Sequence, residues 1–288
     1  MHWILPAIFG YFCLGFSQLL DKYLLAGKRI PEPAVYAFYV ALFSLFSLFF
    51  SPFGFGAAPL RLIFLFLFAG VLFVYGLLAF YYAVRDYELS RIAPLQGLII
   101  SVTVIIIGLS FPQLFGEFTA TLPVFLSLAL FVIGGILVSY DLPFKKGDHL
   151  PVSVFLSGVA IGLYVLILKY AYTETTFVNG LIWSRLGIFA GGLSLLLYLP
   201  FRKQITAGWH RKKRWHIVRK KRSSLTAALF VTNKIIAGSG TFLLLYAIDQ
   251  GSAAFVQALN GIQYVFVMVL ALAFALKFPK IYAEKLHF

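Results

Sequence analysis

Acid, cysteine and clustered histidine are what this sequence has little of. Its one cysteine, Cys13, excludes an intrachain disulfide and a thiolate metal site. The histidines are His2, His149, His210, His216 and His287; they lie in termini or links, and none stands at metal-ligand spacing. No G-x-x-x-x-G-K-[ST] loop occurs, which argues against ATP hydrolysis by this chain. No His/Asp/Glu or Ser/His group gathers at one depth, which argues against a lipid-acting enzyme. Neither metal nor cofactor is expected. Charged residues of both signs make up 12% of the chain, against about 25% in a soluble protein. Two soluble domains, the ordinary reading of 288 residues, are therefore excluded. A cleavable leader is not expected either, because the first apolar run begins at Trp3 with no basic stretch before it.

What is there instead is apolar sequence, 61% of the chain, with a mean hydropathy of +0.92. A helix needs about 20 apolar residues to cross roughly 30 Å of hydrocarbon. Nine runs meet this length, at roughly 3–25, 33–53, 61–84, 91–110, 121–140, 152–173, 177–200, 224–248 and 252–276. They are too long and too evenly apolar for barrel strands, so the spacing predicts an all-α integral membrane bundle of about nine transmembrane helices. The pairs Gly158/Gly162 and Gly187/Gly191, and the stretch Ala237–Gly240, predict seams where helix backbones approach closely.

The chain also repeats itself. Gly15, Lys22 and Tyr23 match Gly162, Lys169 and Tyr170 at an offset of 147, and "SPF" at 51–53 resembles "LPF" at 199–201 at 148. Tyr82, Leu95, Gln96 and Gly97 match Tyr246, Leu259, Asn260 and Gly261 at 164, and Glu117 matches Glu284 at 167. The offset grows because a basic loop, 202–222, is inserted in the second copy. A unit of five spans is odd, so consecutive copies face opposite ways. This gives a first repeat over 1–142 and a second over 150–288, 5+4 spans as the sequence stands. A tenth span matching 121–140 is expected, and its lack reads either as a shortened record or as a property of the protein.

Charge supplies an orientation. Of the formal +14, ten Lys/Arg fall in 202–222, with no acid among them. The links on that same face carry Lys22, Lys28, Arg29, Arg85, Arg91, Lys145, Lys146, Lys277, Lys280 and Lys285, whereas the other face has Arg61. The Lys/Arg bias predicts that the basic face is cytoplasmic in a plasma or inner cell membrane, with the N-terminus outside. Anionic lipid headgroups are the expected partner of 202–222, helped by Trp209 and Trp215. A basic patch tethered to a membrane face does not predict nucleic-acid binding. Homodimer assembly stays open.

The segment "FYYAVRDYELSRIAPLQGLIISVTVIIIGL…GEF" at 80–118, its echo "LLLYAIDQGSAAFVQALNGIQYVF" at 243–266, and "GGILVS" at 134–139 resemble the drug/metabolite transporter superfamily in its EamA-type ten-helix branch. The resemblance covers essentially the whole chain. It implies an inverted-repeat bundle of five-helix units that moves small metabolites by alternating access. The absent tenth span and the outside N-terminus depart from that pattern.

Ionisable residues inside spans are costly and so are candidate site residues. Lys234 lies about ten residues into its span, roughly 14 Å deep at 1.5 Å per residue, and Arg185 about eight residues into its own, roughly 12 Å deep. Neither has an evident carboxylate at its depth, since Asp21 and Glu174 fall close to span ends. Two such cations predict a pocket for an anionic or carboxylate-bearing small substrate. Gln257, Asn260 and Gln263 share one helix face, and Gln96 is the counterpart of Asn260. These amides suit either pocket lining or helix-to-helix bonding. Lys22 and Lys169, equivalent in the repeat, suit either snorkelling to the interface or gates on opposite faces. Tyr164, Trp183 and Tyr246 are candidate wall residues, with core packing the better fit.

Overall fold

The structure, a computed structural model, describes residues 3–26, 29–30, 32–87, 89–111, 152–211, 217–251, 256 and 259–277. These residues are helical wherever they are regular, with no strand among them. The helices are α1 (Ile4–Leu25), α2 (Pro33–Phe43) with a 3-10 continuation (Ser44–Phe53), α3 (Leu60–Asp86), α4 (Leu89–Ser110), α5 (Val152–Tyr172), α6 (Phe177–Ser194), α7 (Leu199–Arg211), α8 (Ile217–Gln250) and α9 (Asn260–Lys277). The fifth expected span, Gln257, and the tail beyond 277 lie outside the described residues.

Local sequence sets the boundaries. Pro33 opens α2 at a position where a missing N–H costs nothing, behind an extended Glu32. Gly54 ends the 3-10 continuation at a φ of 119°, which a side chain would strain. Pro59 precedes α3, and Tyr87 leaves it in extended backbone.

Six of these helices are long and apolar enough to cross a membrane, and a seventh span is counted if α6 and the start of α7 are taken together. At 1.5 Å per residue, 22 residues reach about 33 Å, enough for the hydrocarbon. The outward side chains agree: Phe49 is 81% exposed and Leu197 86%, positions no aqueous surface would favour so often. The chain is a multi-pass membrane protein.

One boundary needs correction. The expected span 177–200 does not run straight, because α6 ends at Ser194 and the chain turns by 96° into α7. Pro200 stands at the second position of the new helix, where proline starts helices well. So α7, with Ile205 buried against the bundle, turns away from the axis of α6, and the basic segment read as a loop is partly helical. The helix of α8 starts at Ile217, and its apolar, membrane-length part, Ser224–Gln250, begins where the sequence predicts.

Packing joins distant parts of the chain. α1 runs antiparallel to α8, Gly10 against Gly240, and lies beside α9 through Gly15 and Val267. α5 runs antiparallel to α3, Phe73 against Tyr164 and Gly76 against Ala160. It also lies beside α4, with Gly158 on Ile99 and Gly162 on Thr103. Gly187 and Gly191 of α6 lie on the backbone of α3 at Phe66 and Gly70. Both expected G-x-x-x-G pairs are therefore seams. Gly240 is a third, whereas Gly238 has open space beside it.

Candidate functional site

The polar centre of the bundle forms where α1, α2, α3 and α8 meet. Asp21 sits near the end of α1 by residue count, but it is buried. Its Oδ1 accepts a bond from Lys234 Nζ at 2.8 Å, and the two side chains are 8% and 7% exposed. The Tyr36 hydroxyl and the Asn233 amide also donate to Asp21 Oδ1, at 2.5 Å each. The expectation that Lys234 lacks a carboxylate is overturned. Depth counted from the end of each helix misplaced Asp21, because antiparallel packing of α1 on α8 brings it level with Lys234.

Aromatic rings surround the ammonium group. Lys234 Nζ stands 4.8 Å from the ring centre of Tyr36, 5.5 Å from Phe230 and 5.9 Å from Tyr81. The three rings are packed edge to face, Tyr36 on Tyr81 and on Phe230 at 4.8 and 5.1 Å. Each ring face carries partial negative charge and attracts a cation. Asn233 is wholly buried; its Nδ2 faces the carboxylate, and its Oδ1 has no hydrogen-bond partner among the described residues. Sequence reading singled out Lys234 but set Asp21 aside as close to a span end, and it passed over Tyr36, Tyr81 and Phe230. The available signal was Asp21 itself, the one carboxylate within the first apolar run.

The remaining candidates fall elsewhere. Arg185 is half-buried on α6; its carbonyl accepts from Ser44 Oγ at 2.9 Å, and no carboxylate among the described residues pairs with its guanidinium. On α5, the buried hydroxyls of Tyr164 and Tyr172 also lack a partner among the described residues. Lys234 and Arg185 share no bonding partner among the described residues. Gln96 Nε2 donates to Ser157 Oγ at 2.6 Å, joining α4 to α5, which is the helix-bonding alternative. Asn260 and Gln263 are buried on α9, and Gly15 of α1 abuts the Gln263 backbone. Neither amide bonds to Lys234. Trp183 donates to the Gly56 carbonyl at 3.2 Å and so pins the turn before α3.

Lys22 and Lys169 do not snorkel. Lys22 Nζ donates to the carbonyls of Val84 and Tyr87 at the end of α3, at 2.9 and 2.5 Å. Lys169 Nζ donates to the carbonyls of Ile248 and Gly251 at the end of α8, at 3.0 and 2.9 Å. A helix C-terminus leaves carbonyls unsatisfied and carries partial negative charge, so each cation is well placed. No group of three His, Cys, Asp or Glu that could hold a metal occurs among the described residues.

Comparison with known proteins gives no match to any family model, any curated protein or any solved structure.

Proposed function

We propose that this protein is a secondary transporter that moves a small metabolite across the membrane by alternating access, and that it is built from two five-helix units of opposite orientation. The observation that carries this reading is the pair of lysine caps. Lys22 and Lys169 stand 147 apart, and the carbonyls they hold, Val84 with Ile248 and Tyr87 with Gly251, stand 164 apart. Those are two of the four offsets already present in the sequence repeat. The packing follows the same rule. The leading helix of each unit, α1 or α5, packs antiparallel to the third helix of the other unit and beside its fourth. Such exchange between inverted units is the frame on which alternating access operates, with the substrate site near the midplane. The EamA-type reading of the sequence motifs fits this arrangement.

The site itself is one-sided. In the repeat, Asp21, Asn233 and Lys234 correspond to Leu168, Ala69 and Gly70. A buried charged cluster that both units build, at only one of the two equivalent seams, is what an occluded carrier places around its substrate. The Lys/Arg bias further puts the 202–222 segment in the cytoplasm, where it meets anionic headgroups.

The test is counterflow. Proteoliposomes holding the purified protein, preloaded in turn with amines, amino acids, nucleosides and organic acids, are expected to accumulate the labelled form of at least one class. Asp21→Asn is expected to lower that rate at least about tenfold, the loss of one charge-assisted contact of about 1.5–3 kcal/mol. Failure of every class to exchange on folded protein argues against transport.

A further inference from the structure

We propose that the Asp21 cluster is a binding site for an organic ammonium ion, and that Lys234 is its tethered occupant, displaced when a substrate amine arrives. The displacement rests on the transporter reading, but the site can be tested by binding alone.

Every group around Lys234 Nζ suits a cation. Asp21 supplies a carboxylate at 2.8 Å, and Tyr36, Phe230 and Tyr81 supply three ring faces within 5.9 Å. The fifth group is Asn233. Its orientation is fixed, because only the amide nitrogen can face a carboxylate oxygen at that distance. Its Oδ1 is therefore a buried acceptor with no donor among the described residues, inside a cluster that otherwise satisfies its polar atoms. Such an acceptor is costly to leave empty. An alkylammonium carries three N–H groups, and with Tyr36 and Asn233 already bonded to Asp21 Oδ1 it has a donor to spare for Asn233 Oδ1. An anion would meet the negative faces of three rings and would have to displace Asp21 from Lys234.

A purely structural role does not require this construction. The equivalent place, where α3 meets α5 and α6, carries Leu168, Ala69 and Gly70 at the matching positions and has no charge at them. Replacing a buried ion pair with packed apolar groups is often neutral or stabilising, so the charges here are kept for something other than holding α1 to α8. A tethered ammonium also serves the transport cycle. When the carrier is empty, Lys234 neutralises Asp21 and the closed state forms without an unpaired buried carboxylate. When a substrate amine enters, one ammonium replaces another at the same oxygen.

The experiment measures binding of phenethylammonium and phenylacetate to the purified full chain by calorimetry, with gel filtration as the control for folding. The wild type is expected to bind phenethylammonium and not phenylacetate. Asp21→Asn abolishes that binding, and Lys234→Met tightens it at least about tenfold by removing the competitor. Phe230→Leu, which removes one ring face and no hydrogen bond, weakens it about three- to tenfold. That arm decides the matter if Lys234→Met does not fold. Binding of phenylacetate that Lys234→Met or Phe230→Leu leaves as the only binding overturns the proposal. So does a wild type that binds neither probe; if that protein still exchanges another solute in counterflow, transport stands and the ammonium site does not.

Discussion

Lys234→Met on its own is expected to lower the stability of the folded protein by about 3–5 kcal/mol, and Asp21→Leu added to it to restore most of the loss. The asymmetry follows from burial. Asp21 and Lys234 are both more than nine-tenths covered, and Tyr36 and Asn233 already donate to the same carboxylate oxygen. Removing the ammonium leaves a carboxylate charge that two neutral donors stabilise only in part. Removing both charges leaves no unpaired buried charge, and the Asn233 amide still donates to the Tyr36 hydroxyl at 3.2 Å. A double-mutant cycle of reversible unfolding in detergent measures the coupling. An exposed ion pair would give under about 1 kcal/mol, so a value that small would contradict the buried geometry. Excess alkylammonium is expected to recover part of the stability lost in Lys234→Met and none of that lost in the double variant.

Gly70→Leu is expected to yield no folded protein, and Gly70→Ala to cost about 2–3 kcal/mol or more, near the upper end for an overpacked core. A methyl group on Gly70 would fall onto the Gly187 carbonyl group of α6, and one on Gly187 onto the Phe66 carbonyl of α3. Both obstacles are backbone, so no rotamer change relieves them. The control is Gly238→Ala. Nothing lies within 4 Å of a methyl group there, so the helix is expected to gain up to about 1 kcal/mol from the better helix former. Equal losses at Gly70 and Gly238 would contradict the seam. Because α6 leads into α7 and the basic segment, loss of this contact is expected to unseat that end of the bundle first.

Reading along the chain recovers what depends on local composition. Run lengths located the helices, and glycine spacing marked the seams at Gly158/Gly162 and Gly187/Gly191. The bend after Ser194 was hidden because apolar residues continue through "LLLYLP", and apolarity records burial in lipid, not helix direction. Pro200 was the local signal. The site was half legible. Lys234 stood out as a cation deep in a span, but its partner lies 213 residues away on an antiparallel helix. Sequence position does not report how far one helix slides along another, so depth counted from each helix end placed Asp21 near the surface. Tyr36, Tyr81 and Phe230 could not be told from the many other aromatics, since a ring around a cation and a ring in lipid are the same residue. The lysines at 22 and 169 were matched by the repeat, yet their roles as helix caps required the ends of α3 and α8 to be in place.

Labelling at two equivalent helix ends tests the central claim most directly. Asp86 and Gln250 stand 164 apart, close the third helix of each unit, and are exposed. In a Cys13→Ala background, Asp86→Cys and Gln250→Cys are each treated with a membrane-impermeant maleimide, on intact cells and on inside-out vesicles. Inverted units predict opposite outcomes: Asp86→Cys reacts only in the vesicles, on the cytoplasmic face with the basic segment, and Gln250→Cys reacts only on intact cells. Reaction of both cysteines from the same side would contradict the opposed orientation of the halves and, with it, the transporter architecture.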